Sequence, residues 1–339
     1  MIREAIAIAA SGTDLSEADA GAVMTEIMEG QATPAQLGAF LAALRVKGES
    51  VSEITGMARV MRAKSLRVEV EDGLLDTCGT GGDGLGTFNV STAAVFVCAG
   101  ADVKVAKHGN RAATSSCGSA DVLEALGARI DLTPEQVRAC IEKTGVGFMF
   151  AQLFHPAMLH AAGPRREIGI RTIFNFLGPL TNPAGAEYQL LGVGDAALAP
   201  KIAEALARLG SRRALVVHGE DGLDEVSICG RTAVNELRNG QVYSYSISPE
   251  EAGLAPAALS ELLGGSAEEN AGRIRGIFAG ARGPGRDFVL INSAAALIAA
   301  DRAISLKEGV QIAAESIDSG AAARVLEEFV AVTRSFAGD

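Results

Sequence analysis

The sequence lacks several features that would assign it to a familiar class. Tryptophan is absent, aromatic residues make up 4% of the chain, and the five cysteines stand in no C-x-x-C arrangement. That pattern excludes a disulfide framework and gives no indication of a zinc site. No apolar run approaches the ~20 residues that span a bilayer, and the amino terminus carries no convincing signal-peptide cleavage site. We therefore expect a soluble protein of the reducing cytoplasm that does not bind membranes.

Positive charge is also in short supply. The 30 lysines and arginines are outnumbered by 41 aspartates and glutamates, so the formal net charge is -11. Nonspecific nucleic-acid binding depends on a dense basic face that neutralises phosphates, and we expect no nucleic-acid partner. A small anionic ligand, held by a few local groups, stays compatible with this acidic total.

Glycine, by contrast, is in excess. The chain has 40 glycines in 339 residues, well above the average usage of about 7%. Glycine is useful where the backbone adopts a positive φ or approaches a ligand closely, and it is costly inside regular elements. The position of a glycine cluster is therefore more informative than the total number.

The first 68 residues predict a small helical domain. Ser16, Thr33 and Ser50 each precede an apolar stripe at helical spacing, and each has a capping partner three positions later. A proline-rich passage of about 160–187 does not continue the strand pattern that surrounds it. We expect this passage to return and pack on the amino-terminal helices, which makes the helical domain discontinuous.

From Leu74 onward, short apolar runs alternate with polar loops and helical stripes, which is typical of a parallel α/β sheet. Two further runs flank Asn239-Gly240 and predict an antiparallel hairpin. The fold class is therefore α/β, with a small all-helical domain and a larger α/β domain that has a mostly parallel central sheet. The predicted strands are 74–78, 103–106, 145–150, 188–194 and 213–219, and the predicted domains are 1–68 with about 160–187, and 72–159 with 188–339.

The strongest local motif is a glycine loop after the first predicted strand. Five glycines occupy the eight residues from Gly79 to Gly86, and backbone amides at this edge of a sheet suit phosphate. A Walker loop is excluded because Leu85 stands where that motif needs lysine. The letters of G-x-G-x-x-G are present, but the region 104–107 is basic where a dinucleotide site needs an acidic residue. We interpret the segment as another kind of phosphate loop rather than an exposed turn.

Two polar segments follow later strands. The segment 107–116 can face the glycine loop across the same sheet edge, and its cations and hydroxyls suit phosphate and ribose oxygens. Asp224 and Glu225 follow the strand at 213–219, and adjacent carboxylates there suit Mg²⁺ bound to substrate phosphates. Each segment alone is also compatible with a solvated surface loop. Together with the glycine loop they predict a site for a phosphorylated sugar diphosphate.

These residues closely resemble the anthranilate phosphoribosyltransferase family. The matching motifs are CGTGGDGLGTFNVST, KHGNRAATSSCGSADVLEALG, HPAM with RTIFNFLGPLTNPAG, and DGLDEVS, in the family's order and spacing from about residue 76 to 227. The resemblance implies transfer of phosphoribosyl from phosphoribosyl pyrophosphate (PRPP) to the amine of anthranilate, with release of pyrophosphate, in tryptophan biosynthesis. It also implies a nucleoside phosphorylase/phosphoribosyltransferase-like fold, two Mg²⁺ ions, hinges between the domains and a homodimer formed through the helical domains.

The same resemblance implies roles for individual residues. Asn110 and Arg165 would face anthranilate, and Ser91, Asp224 and Glu225 would position the metal ions. The residues implied to bind substrate are Gly79, Gly82, Asp83, Thr87, Asn89, Val90, Ser91, Thr92, Lys107, His108, Gly109, Asn110, Arg111, Ala112, Ala113, Thr114, Ser115, Ser119 and Arg165.

Three of these side chains have open interpretations. Arg165 can form a two-pronged contact with a carboxylate, although Gly163-Pro164 precedes it where the family has Pro-Val, which displaces the local backbone constraint. His108 is a candidate proton acceptor, but we favour a packing and hydrogen-bonding role. His155 is a candidate for the wall of the acceptor path. Because an aromatic amine is already neutral at pH 7, we expect no covalent nucleophile.

Two other functions remain open from the residues. Pyrimidine nucleoside phosphorylases share the general architecture, but their phosphate loop has a His-Ser-Thr-Gly-Gly type sequence where this chain has 76–82 as DTCGTGG. A catalytically silent relative that binds nucleic acid should show a basic groove and loss of the metal carboxylates. The pair Asp224-Glu225 fits metal-bound pyrophosphate better than the free phosphate of a phosphorylase, and this pair and the net charge of -11 oppose a nucleic-acid-binding relative.

Overall fold

The computed structural model describes residues 1–71, 73–112 and 116–336. The helices are α1 Ile2–Ala10, α2 Glu17–Met28, α3 Pro34–Lys47, α4 Val51–Lys64, α5 Val90–Ala99, α6 Ser119–Ala125, α7 Pro134–Thr144, α8 Ala151–Phe154, α9 Leu159–Ile168, α10 Phe174–Leu177, α11 Ala199–Arg208, α12 Ala267–Phe278, α13 Pro284–Ala299, α14 Leu306–Asp318 and α15 Ala321–Ser335. The strands are β1 Leu75–Gly79, β2 Val105–Gly109, β3 Val146–Phe150, β4 Tyr188–Gly192, β5 Arg213–Gly219, β6 Thr232–Arg238 and β7 Gln241–Ile247.

The amino-terminal helices begin where the capping residues predict. The Ser16 hydroxyl accepts a hydrogen bond from the Asp19 amide at 3.1 Å. Thr33 and Ser50 each form a complete capping box with the residue three positions later. These side chains satisfy amides that the helix itself leaves without partners, so the start of each helix is a local property of the sequence.

A single sheet in the order β3-β2-β1-β4-β5-β6-β7 forms the centre of the larger domain. The first five of these strands are parallel, and β6 and β7 join antiparallel at one edge. The β6–β7 hairpin turns through Asn239 and Gly240, which have φ of 53° and 74°. The predicted mostly parallel sheet and its hairpin are confirmed, and α12 to α15 follow the hairpin.

The predicted strand at 103–106 was misplaced. β2 pairs with β3 from Val105↔Val146 to Gly109↔Phe150, so the strand runs three residues further toward its carboxyl end. Lys107 and His108 therefore belong to the strand and not to the loop that follows it. The pairing partner, which lies about 40 positions away in the chain, decides this register. The polar residues at the end of β2 do not show a strand pattern in the sequence.

Two apolar layers cover the sheet. Successive residues of a strand point to opposite faces, so Leu190 packs in one layer with α5 and α13, whereas Leu191 packs in the other with α11. The second layer is continuous with the core of α1 to α4. Helix α9 packs on α2 and α3, which supports the predicted return of the 160–187 passage to the helical domain. None of the described helices is both long and apolar enough to cross a membrane.

Candidate active site

A cavity of about 1290 Å³ opens at the carboxyl ends of β1 and β2. The glycine loop and the segment after β2 form two of its walls, and Asp224 and Glu225 lie in its floor after β5. The passage from His155 to Thr181 forms the opposite wall. Parallel strands place all their carboxyl ends at one edge, which explains why segments from distant parts of the chain meet here.

The glycine loop closes around the carboxylate of Asp224. The Gly81 amide donates a hydrogen bond to Asp224 Oδ2 at 2.6 Å. A Cβ on Gly79 would lie 2.5 Å from that same oxygen, and a Cβ on Gly192 would lie 1.6 Å from the Asp224 carbonyl oxygen. Gly79 and Gly192 are paired neighbours on β1 and β4. These two glycines make room for the acidic segment beneath the loop.

Asp224 and Glu225 form a buried acidic pair, each 9% exposed. Burial and the nearby Asp83 carboxylate raise the pKa of Asp224. Burial and Asp224 likewise raise the pKa of Glu225, against the opposing effects of Lys107 and Ser91. Two carboxylates that disfavour ionisation together are suited to share a cation. Among the described residues, no group of three or more acidic, histidine or cysteine side chains forms a metal cluster.

Lys107 of β2 is 3% exposed, and its side chain reaches between β1 and α5. Its Nζ donates to the Thr77 carbonyl and lies 3.5 Å from Ser91 Oγ. Ser91, Thr92 and Lys107 all line the cavity. The ammonium is thus held beside the predicted pyrophosphate and metal positions.

Asp76 supports this end of the sheet from below and is fully buried. Its carboxylate accepts from Asn182 Nδ2 at 2.7 Å and from the His108 amide at 3.3 Å. Burial raises the pKa of Asp76 to about 6, although Lys107 and Asn182 act in the opposite direction. The same Asn182 amide donates to the Ala106 carbonyl at 2.8 Å. Asp76 and Asn182 therefore join β1, β2 and the 155–187 passage.

Several polar groups of the segment after β2 bind to one another or to the adjoining helix α6. The Arg111 guanidinium forms ion pairs with Asp121 and Glu124 of α6. The Asn110 carboxamide oxygen accepts from the Arg111 amide at 2.8 Å, and the Ser119 hydroxyl donates to the Asn110 carbonyl at 3.3 Å. Ala113, Thr114 and Ser115 lie outside the described residues, and Gly109, Ala112 and Ser119 line the cavity.

The rings of His108 and His155 pack together at a centroid distance of 5.0 Å. His108 Nδ1 lies 3.2 Å from the Gly178 carbonyl oxygen. Burial lowers the pKa of His108 to about 3 and that of His155 to about 4. A group that is neutral and weakly basic at pH 7 is a poor proton acceptor. This environment favours the packing interpretation of His108.

The opposite wall offers a cation on a mostly apolar surface. Arg165 is half-buried in α9, and its guanidinium carbon lies 5.0 Å from the Phe174 ring centroid. Burial lowers its pKa. Pro164 lies inside the helix directly before it. Met158, Leu159 and Pro179 line the same side, so this wall suits a flat aromatic carboxylate.

Two of the residues predicted to bind substrate do not line the cavity. Val90 is buried in the first turn of α5, and Thr87 forms a backbone bridge with Leu263. Asn89 lines the cavity, but its side-chain carboxamide also donates a hydrogen bond to the Cys117 carbonyl and accepts one from Asn270 Nδ2. Among the described residues, Gly82, Asp83, Ser91 and Lys107 do meet at the cavity.

Comparison with known proteins identifies relatives along the whole chain. Two family models match, described as "Glycosyl transferase family, a/b domain" over residues 71–323 and "Glycosyl transferase family, helical bundle domain" over residues 3–65. The anthranilate phosphoribosyltransferase of Dehalococcoides mccartyi is 55% identical over 339 residues, which is 99% of each chain.

The chain belongs to the anthranilate phosphoribosyltransferase family.

Solved structures of the family agree. That of the anthranilate phosphoribosyltransferase from Thermus thermophilus superposes with a TM-score of 0.92 at 48% identity, covering 97% of this chain and 99% of that one. The Saccharomyces cerevisiae enzyme in complex with PRPP and Mg gives a TM-score of 0.90 at 31% identity, with 99% and 98% covered. A second structure of the yeast enzyme contains 4-fluoroanthranilate. The resemblance inferred from the motifs, the fold class and the assignment as a glycosyl-transferring enzyme are confirmed.

Sequence reasoning missed three residues that line or support the candidate site. Asn182 and Arg171 both lie in the motif RTIFNFLGPLTNPAG, but no role was assigned to either. Arg171 donates from Nη1 to the Gly82 carbonyl and from Nη2 to the Gly81 carbonyl, both at 2.7 Å. The sequence around Gly192 gives no sign of its role, because it shows only a glycine at the end of an apolar run.

Proposed function

We propose that this cavity transfers the phosphoribosyl group of PRPP to the amine of anthranilate, a step of tryptophan biosynthesis. The observation that carries the proposal is the 2.6 Å hydrogen bond between the Gly81 amide and Asp224. It places a loop of closely spaced amides directly beside two buried carboxylates. That combination suits a pyrophosphate group that carries a divalent cation.

The residues fit Mg²⁺. The raised pKa values of Asp224 and Glu225 follow from burial and nearby negative charge, and a cation would relieve both effects. Asp224, Glu225 and the Ser91 hydroxyl would hold the ion beside the Asp83 carboxylate, and substrate oxygens and water would complete the coordination. When bound, Mg²⁺ would offset the negative charge of the departing pyrophosphate. We propose two ions, and equilibrium dialysis with PRPP present would count them.

The chain's own groups would act mainly by orientation and electrostatics. The glycine-loop amides and Lys107 would hold the pyrophosphate, whose departure from the anomeric carbon is the difficult step. Arg165 would hold the anthranilate carboxylate in a two-pronged contact and aim the amine at that carbon. Since the amine is neutral at pH 7, no side chain has to remove a proton before attack. We propose no covalent intermediate.

The decisive assay follows the fluorescence of anthranilate. Mixing the protein with anthranilate, PRPP and Mg²⁺ should abolish the fluorescence and release one pyrophosphate for each anthranilate consumed. Phosphorolysis of a pyrimidine nucleoside without this reaction would assign the chain to the phosphorylases. Binding to DNA without either reaction would assign it to a silent nucleic-acid-binding relative.

The acceptor wall has its own test. Arg165→Ala should raise the KM for anthranilate at least about tenfold, because a charge-assisted contact to the carboxylate is lost, and should leave the KM for PRPP nearly unchanged. Arg166→Ala is the matched control, since that neighbour on α9 is exposed and does not line the cavity. Equal changes in the two KM values would contradict the assignment of Arg165.

We also propose a cytoplasmic homodimer formed through the helical domains. Val46, in the last turn of α3, is 89% exposed and gives a position at which this proposal can be tested. Light scattering should give twice the mass of the chain. Val46→Glu should weaken that association if α3 contributes to the interface.

A further inference from the structure

Arg171 contacts the glycine loop and itself lines the main cavity beside that loop. Its guanidinium donates from Nη1 to the Gly82 carbonyl and from Nη2 to the Gly81 carbonyl, each at 2.7 Å. An arginine fork forms two parallel hydrogen bonds of this kind, whereas lysine offers a single flexible ammonium. Consecutive carbonyls of the loop are thereby held by one rigid group.

The loop is held on its other side as well. Gly81 donates its amide to Asp224 while its carbonyl accepts from Arg171. Gly81 and Gly82 have φ of 68° and 78°, in the left-handed region. Such a backbone needs surrounding contacts to stay in one conformation, because glycine is free to adopt many others. Arg171 and Asp224 supply those contacts from opposite directions.

Gly82 is fitted to the arginine itself. A Cβ at this position would lie 2.1 Å from Arg171 Nη1, and its three nearest atoms all belong to that guanidinium. The absence of a side chain at Gly82 therefore serves the approach of Arg171. Close approach to a phosphate need not be the reason for this glycine.

The position of Arg171 links the loop to the helical bundle. It lies between α9, which packs on α2 and α3, and α10. It also lines a second cavity of about 340 Å³, together with Arg45 and Glu49 from the bundle side and His218 from β5. Among the described residues, Arg171 forms no ion pair with a carboxylate.

We propose that Arg171 is a positioning residue for PRPP: its two hydrogen bonds engage the carbonyls of Gly81 and Gly82 and fix the loop in the conformation that presents backbone amides to the pyrophosphate. This inference rests on the proposed function. It assigns Arg171 no contact with the reacting atoms, and its effect passes through the shape of the loop.

Arg171→Ala should raise the KM and the Kd for PRPP at least about tenfold, since two charge-assisted hydrogen bonds are lost. The KM for anthranilate should change less than about twofold, because Arg165 on the other wall is unaffected. Arg171→Lys should recover only part of the loss, and added guanidinium ion should recover part of the activity of Arg171→Ala. Arg45→Ala is the matched control, because it removes the same charge beside the second cavity without touching the loop.

A double-mutant cycle sharpens the test. Gly82→Ala should be less harmful in the Arg171→Ala background than in the wild type, because the guanidinium that its Cβ would strike is gone. The strain of an alanine at the positive φ of Gly82 is common to both backgrounds and cancels in the coupling energy. Additive effects would overturn the proposal, as would an unchanged Kd for PRPP in Arg171→Ala or an equal effect of Arg45→Ala. Thermal unfolding of each variant shows that it is folded. If the wild type itself fails to consume anthranilate, the proposed function fails, and direct PRPP binding still tests the role of Arg171.

Discussion

Two loops follow adjacent parallel strands and face the same cavity, but they present different chemistry. The glycine loop after β1 has few polar side chains and offers its backbone, which Arg171 and Asp224 hold from both sides. The segment after β2 is rich in polar side chains, and Asp121 and Glu124 occupy its arginine, Arg111. A polar sequence is therefore not by itself a measure of what a loop offers a ligand.

The difference shows which groups of each loop are available to bind a phosphate. A backbone amide held in position by neighbours costs little further ordering when a phosphate arrives. A charged side chain that already has two carboxylate partners must give them up before it can serve an anion. The comparison predicts that the first loop is sensitive to backbone changes and the second to its internal support.

Gly79→Ala should have the largest effect. Its Cβ would lie 2.5 Å from Asp224 Oδ2 and would displace either the loop or the carboxylate. Misplacement of a reacting group by about 1 Å costs on the order of a hundredfold in rate, and we expect such a loss in the anthranilate assay. Gly84→Ala is the control, because no atom lies within 4 Å of its Cβ and only its positive φ opposes the change. Equal losses in the two variants would show that strain and not crowding controls the loop.

Asp121→Ala should have the next largest effect. Asp121 Oδ2 accepts from the amides of Ala112 and Gly118 at 3.0 and 2.8 Å, and so joins both ends of the second loop. Without it, we expect kcat/KM for PRPP to fall about tenfold as this loop loses its shape. Glu124→Ala provides the comparison, since Glu124 contacts Arg111 but neither amide. Similar losses in both variants would move the supporting role to the ion pairs.

His108→Asn should change the dependence of stability on pH. Burial lowers the pKa of His108 from 6.5 to about 3, so the folded state binds fewer protons than the unfolded chain between these values. The resulting stability is complete above pH 6.5 and declines on acidification, by up to about 1.4 kcal/mol for each pH unit. The variant should lose this slope in urea unfolding at pH 7 and pH 5.

Asp76 makes a pH-dependent contribution of the opposite sign. Its pKa is raised to about 6, so its contribution to stability declines as the pH rises from 3.8 toward 6. The contribution is common to the wild type and the variant, and it cancels in their difference. His160→Asn is the control, because that histidine of α9 is exposed. A slope unchanged by His108→Asn would contradict the buried neutral state of the ring.

Arg111→Ala should have the smallest effect. Because its guanidinium is exposed and already paired with Asp121 and Glu124, we expect the KM for PRPP to change less than about threefold. A rise as large as that of Asp121→Ala would show that Arg111 leaves its partners to bind substrate. Such a result would remove the contrast between the two loops.

Much of the fold was predictable from short-range patterns. The helix caps at Ser16, Thr33 and Ser50 satisfy amides within one turn, and the hairpin at Asn239-Gly240 needs only its own residues. The register of β2 was not predictable in this way. The register depends on pairing with β3. Because Lys107 and His108 are polar, they can be assigned to a strand only when its pairing partner and burial are known.

Some residues of the candidate site were likewise predictable from the sequence, and others were not. The glycine loop and the pair Asp224-Glu225 stand out in the sequence because their chemistry is carried by adjacent residues. Gly192 and Arg171 do not stand out, because their roles exist only relative to Asp224 and to the loop carbonyls. Arg111 and Arg171 are equally charged, but the motifs implied a substrate contact for Arg111 and no role for Arg171.

The sequence by itself determined the order of helices and strands, the position of the phosphate loop and the family to which the chain belongs. Periodicity, caps and dense motifs are local, so they act before distant segments meet. Only the tertiary structure decided which polar groups the site can use. It paired Arg111 with the carboxylates of α6, buried the rings of His108 and His155, and brought Arg171 against Gly82. The availability of a side chain depends on its neighbours in space, and folding chooses those neighbours.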